Sequence, residues 1–446
     1  SHPAARRKDT MALLPPDHPD RLALASEVHA RPPEPLETPS RVTYVAVLID
    51  AAARQQELVH IEALCSRYGV EPPAPGSTHF SAGLDTLRFK WERHGEFSGY
   101  TFSTTGRSDS PFEQTAVSRL PAGWLEKIPG ATLVAAHAKL VPAGSSPPEA
   151  SLLSIFFGGN IPVGAEIGDG SGFAFTDFRV HADGYARFVV FDRHLTPRQA
   201  GRTLQRLFEI EVYRMLALLA LPIARRQSPR IFGIEGSLAE LTEGIARDQR
   251  TDDESLLQAL TRLAAEVESE LASSQFRFGA CRAYYELVTT RIGELREQRM
   301  SGIQTIEEFM ARRFTPAVAT CNTVSQRLHG LSERVAQTSA LLSTRVDITR
   351  ERQNQALLAS MDRRAKLQLR LQQTVEGLSV AAIVYYVAGL VGYVSKGLKA
   401  GGLHIEPDLV VGIAIPLVAL GALWTIRRAK RRIAAAEAGQ PPAREL

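Results

Sequence analysis

The stretch GLSVAAIVYYVAGLVGYVS, residues 377–395, contains no charged side chain over 19 positions. A second stretch, LVVGIAIPLVALGALWTI at 409–426, contains none over 18 positions. Each length is close to the roughly 20 residues that a helix needs to cross a bilayer core of about 30 Å. We therefore expect two transmembrane helices within 377–426, joined by a short loop at 396–408. The pattern leaves open a pair of helices buried in a soluble core.

Basic side chains around these two spans predict their orientation. The first span follows Arg363, Arg364, Lys366 and Arg370, and the second precedes Arg427, Arg428, Lys430, Arg431 and Arg432, whereas the loop holds only Lys396 and Lys399. Both termini are therefore expected in the cytoplasm, and 427–446 forms a basic cytoplasmic tail. In a bacterium the bilayer would be the inner membrane. The first 20 residues show no apolar signal-peptide core, which fits a cytoplasmic N-terminal domain.

Composition and charge narrow the class of protein. A chain of 446 residues with 44% hydrophobic residues is long enough for several domains, most of them globular. The net charge of +4 is small and does not indicate a nucleic-acid-binding protein. Cys65, Cys281 and Cys321 lie far apart and match no zinc spacing, so we expect buried, reduced thiols and no disulfide framework.

Alternating strand and helix signals fill the first half of the chain. Residues 1–40 read as an extended, proline-rich arm with one short helix at 21–29, and 41–195 as an α+β cytoplasmic domain. Hairpins outnumber βαβ units, which predicts a largely antiparallel sheet. The expected strands are 41–50, a hairpin over 85–104 turning near His94, 131–141, 151–157, and two or three in 158–192; the expected helices are 52–69 and 111–127.

After residue 195 the pattern becomes helical. Thr196 and Pro197 predict the start of a helix of about 30 residues that ends near Arg226, and SLAE at Ser237 resembles a capping box that opens the next helix. Residues 196–315 are expected to form a helical domain, followed by a long stalk helix over 316–376. Together with the first span this run would extend on the order of 120 Å, so the helix is expected to protrude or to be shared.

Apolar residues at 3-4 spacing mark one side of the stalk: Leu328, Leu331, Val335, Thr338 and Leu342. This spacing suits a helix that packs on other helices. Two arrangements fit it, a coiled coil between chains and an intramolecular bundle with 237–313.

The first span carries a face that is more polar than a lipid-facing surface should be. At helical spacing that face holds Gln372, Glu376, Ser379, Ile383, Tyr386, Leu390 and Tyr393, and another holds Gly377, Ala381, Tyr385, Gly389 and Gly392. An ionisable group at a membrane edge often has a function, although it can also snorkel to the interface. We take the first face as the candidate lining of a pore and the glycines as helix-packing positions.

The order of these segments resembles the CorA-type magnesium channels. In that family a pentamer encloses a pore lined by the first span, which ends in a Gly-Met-Asn signature. Here the corresponding place reads Gly392, Tyr393 and Val394, so the glycine matches while the methionine and the asparagine are absent. Glu406 and Asp408 stand in the outer loop, where that family also tends to be acidic. The resemblance implies a homo-oligomer that handles a divalent cation, with non-standard selectivity.

A second resemblance covers nearly the whole chain. The motifs EVHARPP, HFSAGLDTLRFKWERHGEFSGYTF and QTIEEFMARRFTPAVATC, together with SMDRRAKLQLRLQQTVEGLSVAAIVYYVAGLVGY, are similar to an uncharacterised family of bacterial membrane-anchored proteins. That resemblance implies membrane anchorage and no particular activity.

The sequence contains none of the common phosphate-loop, dinucleotide, zinc-protease or hydrolase motifs, so no enzyme and no catalytic residue is indicated. GDGSGF at 168–173 and the His181/Asp183 pair are interpreted as turns rather than as a phosphate or metal site. The basic and aromatic alternation in 84–102 is interpreted as a half-buried strand.

Two functions stay open. The first is a CorA-like homo-oligomer, with a pentamer favoured, that conducts cations past Glu376, Tyr386 and Tyr393. The second is a membrane-anchored cytoplasmic scaffold or ligand-sensing protein with no transport activity. No cofactor is assigned, and the expected partners are the lipid bilayer and further copies of the chain.

Overall fold

The computed structural model describes residues 17–27, 32–108, 111–144, 146–246, 253–402 and 406–437. The chain divides into two compact units, Ser1–Ala340 and Leu341–Leu446. The first unit combines a β-sheet with helices, and the second contains the later part of one long helix and the helix that follows it. The sequence prediction of an α+β region followed by long helices is confirmed at this level.

The strands are β1 Ser40–Leu48, β2 His79–Leu84, β3 Leu87–Arg93, β4 Phe97–Thr105, β5 Ala131–Pro142, β6 Val163–Ile167, β7 Gly172–Thr176 and β8 Ala186–Asp192. They form a mixed sheet in the order β2-β3-β4-β1-β5-β8-β7-β6. Every neighbouring pair is antiparallel except β5 and β8, which run parallel. The predicted, largely antiparallel sheet is therefore correct, and so is the hairpin that turns at His94.

The helices are α1 Arg21–Glu27, α2 Arg54–Arg67, α3 Ala150–Phe157, α4 Pro197–Leu218, α5 Ala220–Ala246, α6 Asp253–Leu295, α7 Ile306–Arg313, α8 Thr315–Ala400 and α9 Pro407–Glu437. Thr196 caps α4 as expected: its hydroxyl accepts from the Gln199 amide, and the Gln199 side chain accepts from the Thr196 amide. Pro197 takes the first helical position, where the missing N–H costs nothing.

Alternation along β3 gives the sheet two different faces. Phe89 and Trp91 join Tyr100 and Phe102 in an apolar core that α2 covers. The next residues along β3, Arg88, Lys90 and Glu92, point to the other face, which α4 covers. One side of this strand is therefore apolar and the other side is charged.

The run SLLSIFF at 151–157 was predicted as a strand and forms α3 instead. Its buried residues are Leu153, Phe156 and Phe157, at helical spacing, while Ile155 is exposed. A short apolar run has no periodicity that separates a buried strand from a helix, so the prediction was wrong here. Gly158 ends the helix with a φ of 59°, a left-handed conformation that suits glycine.

The predicted helix at 111–127 is also wrong. The structure has two short 3₁₀ turns, Ala116–Arg119 and Leu125–Lys127. Pro121 and Gly123 lie between them; proline cannot donate an α-helical hydrogen bond, and Gly123 adopts a φ of 72°.

The helix that starts at Pro197 ends earlier than predicted, at Leu218, and α5 begins at Ala220. Pro222 explains the new start, because proline fits the first turn of a helix, where its N–H is not needed. Ser237 does not open a helix. It lies inside α5, next to Leu238, whose burial favours continuation of the helix over a local capping motif.

The first part of α8 packs within its own chain. Leu328, Leu331 and Val335 are buried. Arg327 forms an ion pair with Glu235 of α5 at 2.7 Å, and the Ser332 hydroxyl donates to Glu268 of α6 at 3.0 Å. These contacts match the intramolecular bundle, one of the two arrangements that the spacing allowed.

Two motifs noted in the sequence are local turns, as interpreted. Residues 168–171 form the turn between β6 and β7. Residues 181–184 form the other turn, in which the Gly184 amide donates to the His181 carbonyl and the Tyr185 amide donates to Asp183. The His181 ring pairs with Asp177 at 2.8 Å and not with Asp183, and Asn160 donates to the same oxygen of Asp177.

Candidate functional site

Both predicted spans lie in helices that are long and apolar enough to cross a membrane. Their most apolar windows have mean hydropathies of 1.8 in α8 and 2.4 in α9, and neither window is buried within the chain. Length and composition therefore agree with the sequence prediction of two apolar helices at the C-terminal end.

Helices α8 and α9 contact each other at Gly392. A Cβ placed there would lie 3.4 Å from a methyl group of Val411, an ordinary van der Waals distance. The less exposed positions of α8 form a stripe on this side, namely Val380, Val384, Val387, Ala388, Val391, Gly392 and Ser395. Gly377 and Gly389, also interpreted as packing positions, face open space within the chain.

The candidate pore face is turned away from this contact. Tyr386 and Tyr393 are 71% and 78% exposed, and Ile383 and Leu390 are 49% and 63% exposed. Towards the start of the span, the Gln372 amide donates to the Glu376 carboxylate at 3.4 Å. Within one chain, α9 therefore leaves Ile383, Tyr386, Leu390 and Tyr393 exposed, whereas Glu376 is half-buried.

The remaining candidate residues lie at the ends of the two spans. Tyr393 and Val394 of the signature-equivalent triplet are exposed, while Gly392 takes part in the helix contact. Glu406 pairs with Lys399 at 3.6 Å, and Asp408 lies in the first turn of α9, where a carboxylate is favourable to the helix dipole. Among the described residues, no three His, Cys, Asp or Glu side chains group together as a metal site would need.

The first unit contains a cavity that the sequence did not indicate. We call it the α4 cavity: a space of about 260 Å³ between α4 and the charged face of the sheet. Its polar lining residues are Glu34, Tyr44, Arg88, Lys90, Glu92, His94, Thr101, Ser103, Gln205, Glu209, Tyr213 and Arg291. Aromatic rings complete the wall; Tyr44 stacks on Phe208 with a centroid distance of 4.9 Å.

The charges around this cavity come in opposite pairs. Lys90 Nζ lies 2.9 Å from Glu92 Oε1, and both side chains are about nine-tenths buried. Arg88 pairs with Glu34, and Arg291 of α6 pairs with Glu209 of α4. Three cations thus balance three anions, which keeps the wall polar without a net charge.

Two groups on the wall have shifted pKa values. Burial first, and the Glu92 carboxylate second, raise the pKa of the Tyr44 hydroxyl, so it stays a neutral group. Burial is the largest single effect on the pKa of the Arg291 guanidinium and lowers it, but the charge of Glu209 and the hydrogen bond to it act in the opposite direction, and the net pKa is raised.

A segment of the proline-rich arm closes the cavity. We call residues 32–37 the strap. The Lys90 ammonium donates to the carbonyl oxygen of Pro32 at 2.9 Å, and the Leu36 amide donates to the carbonyl of Pro197 at 2.9 Å. Glu34 accepts from the Ser81 hydroxyl at 2.5 Å and from Arg88. These bonds hold the strap against β2, β3 and the start of α4.

The sequence contained a signal for this site that the strand interpretation did not use. Within LRFKWER the apolar positions alternate with Arg88, Lys90 and Glu92. A strand in the middle of a covered sheet seldom carries three charges on one face, because burying each charge requires a partner. The partners Glu34 and Arg291 come from distant parts of the chain, so the cavity could not be located from the sequence.

Comparisons with known proteins give a family and a distant structural likeness. No curated protein matches the chain. The structure of the full-length CmaX protein resembles it at 12% sequence identity and a TM-score of 0.20, over 74% of this chain and 94% of that chain. The model of a family described as a protein of unknown function (DUF3422) matches residues 16–433. Because that match spans nearly the whole sequence, the chain belongs to the DUF3422 family.

Proposed function

We propose that this protein is an integral membrane protein that assembles as a CorA-like homo-oligomer and passes cations along a path lined by α8. One observation carries the proposal. The polar face of the first span is the face that α9 leaves open, with Tyr386 and Tyr393 more than two-thirds exposed. In a lipid environment exposed polar groups are costly, so contact with further copies and with water would stabilise this face.

The order of side chains along that face suits a cation path. Glu376 at the cytoplasmic mouth would form a ring of carboxylates that concentrates cations. Ile383 and Leu390 would form apolar constrictions of the kind that gate by dewetting, with the Tyr386 and Tyr393 hydroxyls as polar positions between and beyond them. Glu406 and Asp408 would supply negative charge at the far entrance. A divalent cation is the candidate cargo, without the Gly-Met-Asn selectivity element.

Self-association has its own support in α8 before the membrane. Between residues 341 and 376 this helix exposes large apolar side chains, among them Leu358 at 64%, Leu367 at 65% and Leu371 at 67%. Such side chains in water favour burial against a partner. Two spans cannot enclose a pore, so a path requires a ring of chains, and the CorA resemblance implies five.

The same proposal gives the location. Basic residues precede the first span and follow the second, which supports an orientation with both termini on the cytoplasmic side of a bacterial inner membrane. The first unit and the basic tail would then lie in the cytoplasm.

Cation flux into proteoliposomes tests the transport claim. Glu376→Gln and Tyr393→Ala should each change the rate of Mg²⁺ or K⁺ flux several-fold, because they alter the mouth and the lining of the path. Tyr385→Ala is the matched control: Tyr385 is 77% exposed but lies on another side of α8, so its flux should equal that of the wild type. The transport proposal would be contradicted if all three variants showed the same cation flux as the wild type, or if the assembled wild type showed no flux.

A second function, a membrane-anchored scaffold or ligand sensor without transport, is favoured by the α4 cavity. In that case the two spans act only as an anchor. Replacing 377–426 with an unrelated helical hairpin should then preserve the cellular phenotype, whereas the channel proposal expects its loss.

A further inference from the structure

We propose that the α4 cavity binds a small zwitterion that carries one ammonium group, one carboxylate and no net charge, such as an amino acid with an uncharged side chain. The inference concerns the first unit alone and does not depend on transport. Four features of the cavity support it: its charge balance, an unsatisfied acceptor, a spare donor and its size.

Charge balance excludes ligands with a net charge. The three cations of the wall each face an anion, in the pairs Arg88 with Glu34, Lys90 with Glu92, and Arg291 with Glu209. A dicarboxylate or a diamine would bring an uncompensated charge into a partly enclosed space, which is costly. A zwitterion offers a partner to both signs and leaves the balance at zero.

Gln205 of α4 provides the acceptor for the ammonium end. Its amide nitrogen donates to Glu209 Oε1 at 2.8 Å, which fixes the orientation of the amide group. Its carbonyl oxygen Oε1 is buried and accepts no hydrogen bond from any described group. A buried acceptor without a donor costs about 1–3 kcal/mol, and a ligand ammonium would satisfy it beside the Glu209 carboxylate.

Lys90 of β3 provides a donor for the carboxylate end. An ammonium group has three N–H donors. Among the described residues two acceptors engage it, Glu92 Oε1 and the Pro32 carbonyl oxygen, both at 2.9 Å. The third N–H remains for a ligand carboxylate, and Arg88 on the same face of the strand adds a second cation. The ligand would thus lie between β3 and α4.

The size and the walls suit such a molecule. A water occupies about 30 Å³ of the liquid, so a space near 260 Å³ holds a molecule of roughly ten non-hydrogen atoms. The aromatic rings of Tyr44, Phe97, Phe208 and Tyr213 line the same space. Their faces are favourable surroundings for an ammonium group and for an apolar side chain.

Calorimetric titration of the full-length protein in detergent tests the inference. The probes are L-glutamine, L-serine and γ-aminobutyrate as zwitterions, succinate and putrescine as charged ligands, and erythritol as a neutral polyol. We expect saturable binding of at least one zwitterion, with one site per chain, and none of the other three. Binding of succinate, putrescine or erythritol in preference to every zwitterion would overturn the proposal, and so would no binding of any probe at millimolar concentration.

A variant locates the site. Gln205→Leu keeps the size of the side chain and removes the acceptor, so it should weaken zwitterion binding tenfold or more. Gln56→Leu, at an exposed position on α2, is the matched control and should bind like the wild type. Unchanged affinity in folded Gln205→Leu would place the ligand elsewhere and overturn the proposal.

Hydrogen–deuterium exchange of the wild type provides a second readout that needs no variant. The bound zwitterion should slow exchange in β3, in the strap and in the first half of α4, and leave α2 unchanged. If a saturating concentration of the zwitterion slowed exchange in neither β3 nor α4, the assignment of the binding site to the α4 cavity would be contradicted.

Discussion

Gly201 of α4 lies directly beneath the backbone of Glu34 in the strap: a Cβ at Gly201 would come within 1.8 Å of the Glu34 carbonyl oxygen. No side chain can occupy that space unless the backbone moves. Glycine at this position therefore allows the strap to cross the start of α4, where the Leu36 amide reaches the Pro197 carbonyl. The closure of the α4 cavity depends on this approach.

Gly201→Ala should displace the strap and lower the free energy of unfolding by about 2 kcal/mol, as overpacking in a tight contact does. Chemical denaturation followed by tryptophan fluorescence measures the change, since Trp91 and Trp124 are buried in the first unit.

Gly233→Ala in α5 is the control, because a Cβ there meets open space. Alanine favours a helix interior over glycine by about 1 kcal/mol, so this variant should be neutral or slightly more stable. Equal stability of the two variants would show that the strap does not press on Gly201.

His137 on β5 should make the first unit sensitive to acid. Its ring is buried, with Nδ1 2.9 Å from the Thr43 hydroxyl and its face stacked on Tyr185 at 3.8 Å. Burial lowers the pKa of His137 to about 4, with Asp183 raising it and Arg187 lowering it by smaller amounts. Between about pH 4 and pH 6.5, the folded protein therefore keeps this ring neutral, whereas the same ring in the unfolded chain takes up a proton.

The sign of the effect follows from that depressed pKa. Unfolded histidine titrates near pH 6.5, so stability present above that pH is lost as the pH falls toward 4, by about 3 kcal/mol in total. Denaturation measured at a series of pH values over this range should show that the free energy of unfolding of His137→Gln depends less on pH than that of the wild type. His79→Gln, at an exposed position on β2, should retain the wild-type slope, and matching slopes for the two variants would contradict the assignment.

Cys281 of α6 and Cys321 of α8 lie within hydrogen-bonding distance of each other, and both thiols are buried. The hydrogen bond with Cys321, followed by burial, raises the pKa of the Cys281 thiol well above its usual range. Burial likewise raises the pKa of Cys65. The same hydrogen bond lowers the pKa of the Cys321 thiol. A thiol reagent must reach a thiolate to react, and all three thiols are buried, so the folded protein should react slowly with a thiol reagent at neutral pH.

A reagent that releases a coloured product when it reacts with a thiol checks this prediction. The absorbance of that product after a fixed reaction time counts the thiols that have reacted. We expect almost no reaction in the native state and three thiols per chain after unfolding. Ser301→Cys, at an exposed turn, should add one fast-reacting thiol as the positive control. Fast modification of Cys281 in the native wild type would show that the α6 and α8 contact opens.

Local patterns determined which parts of the fold the sequence could predict. The two apolar stretches, the Thr196-Pro197 helix start and the alternation in β3 are short-range signals, and the structure contains all of these elements. The prediction of a strand at 151–157 was wrong because a run of seven mostly apolar residues shows no hydrophobic periodicity that distinguishes a buried strand from a helix. The end of α4 was missed because Pro222 was read inside a helix rather than in the first turn of the next one.

The α4 cavity needed information that no local pattern carries. Its pair of Arg291 and Glu209 joins residues 82 positions apart, and Arg88 and Glu34 are 54 apart. The polar face of the first span, in contrast, could be read from helical spacing alone, and α9 packs on a different side of α8 through Gly392.

The most direct test of the central proposal is the native mass of the complex in lipid nanodiscs. A CorA-like homo-oligomer predicts a ring of at least four chains, and a pentamer would weigh about 244 kDa, five times the 48.8 kDa of one chain. A monomer or dimer that persists in lipid would contradict the channel, since two spans per chain cannot then enclose a path, and α8 and α9 would act as an anchor.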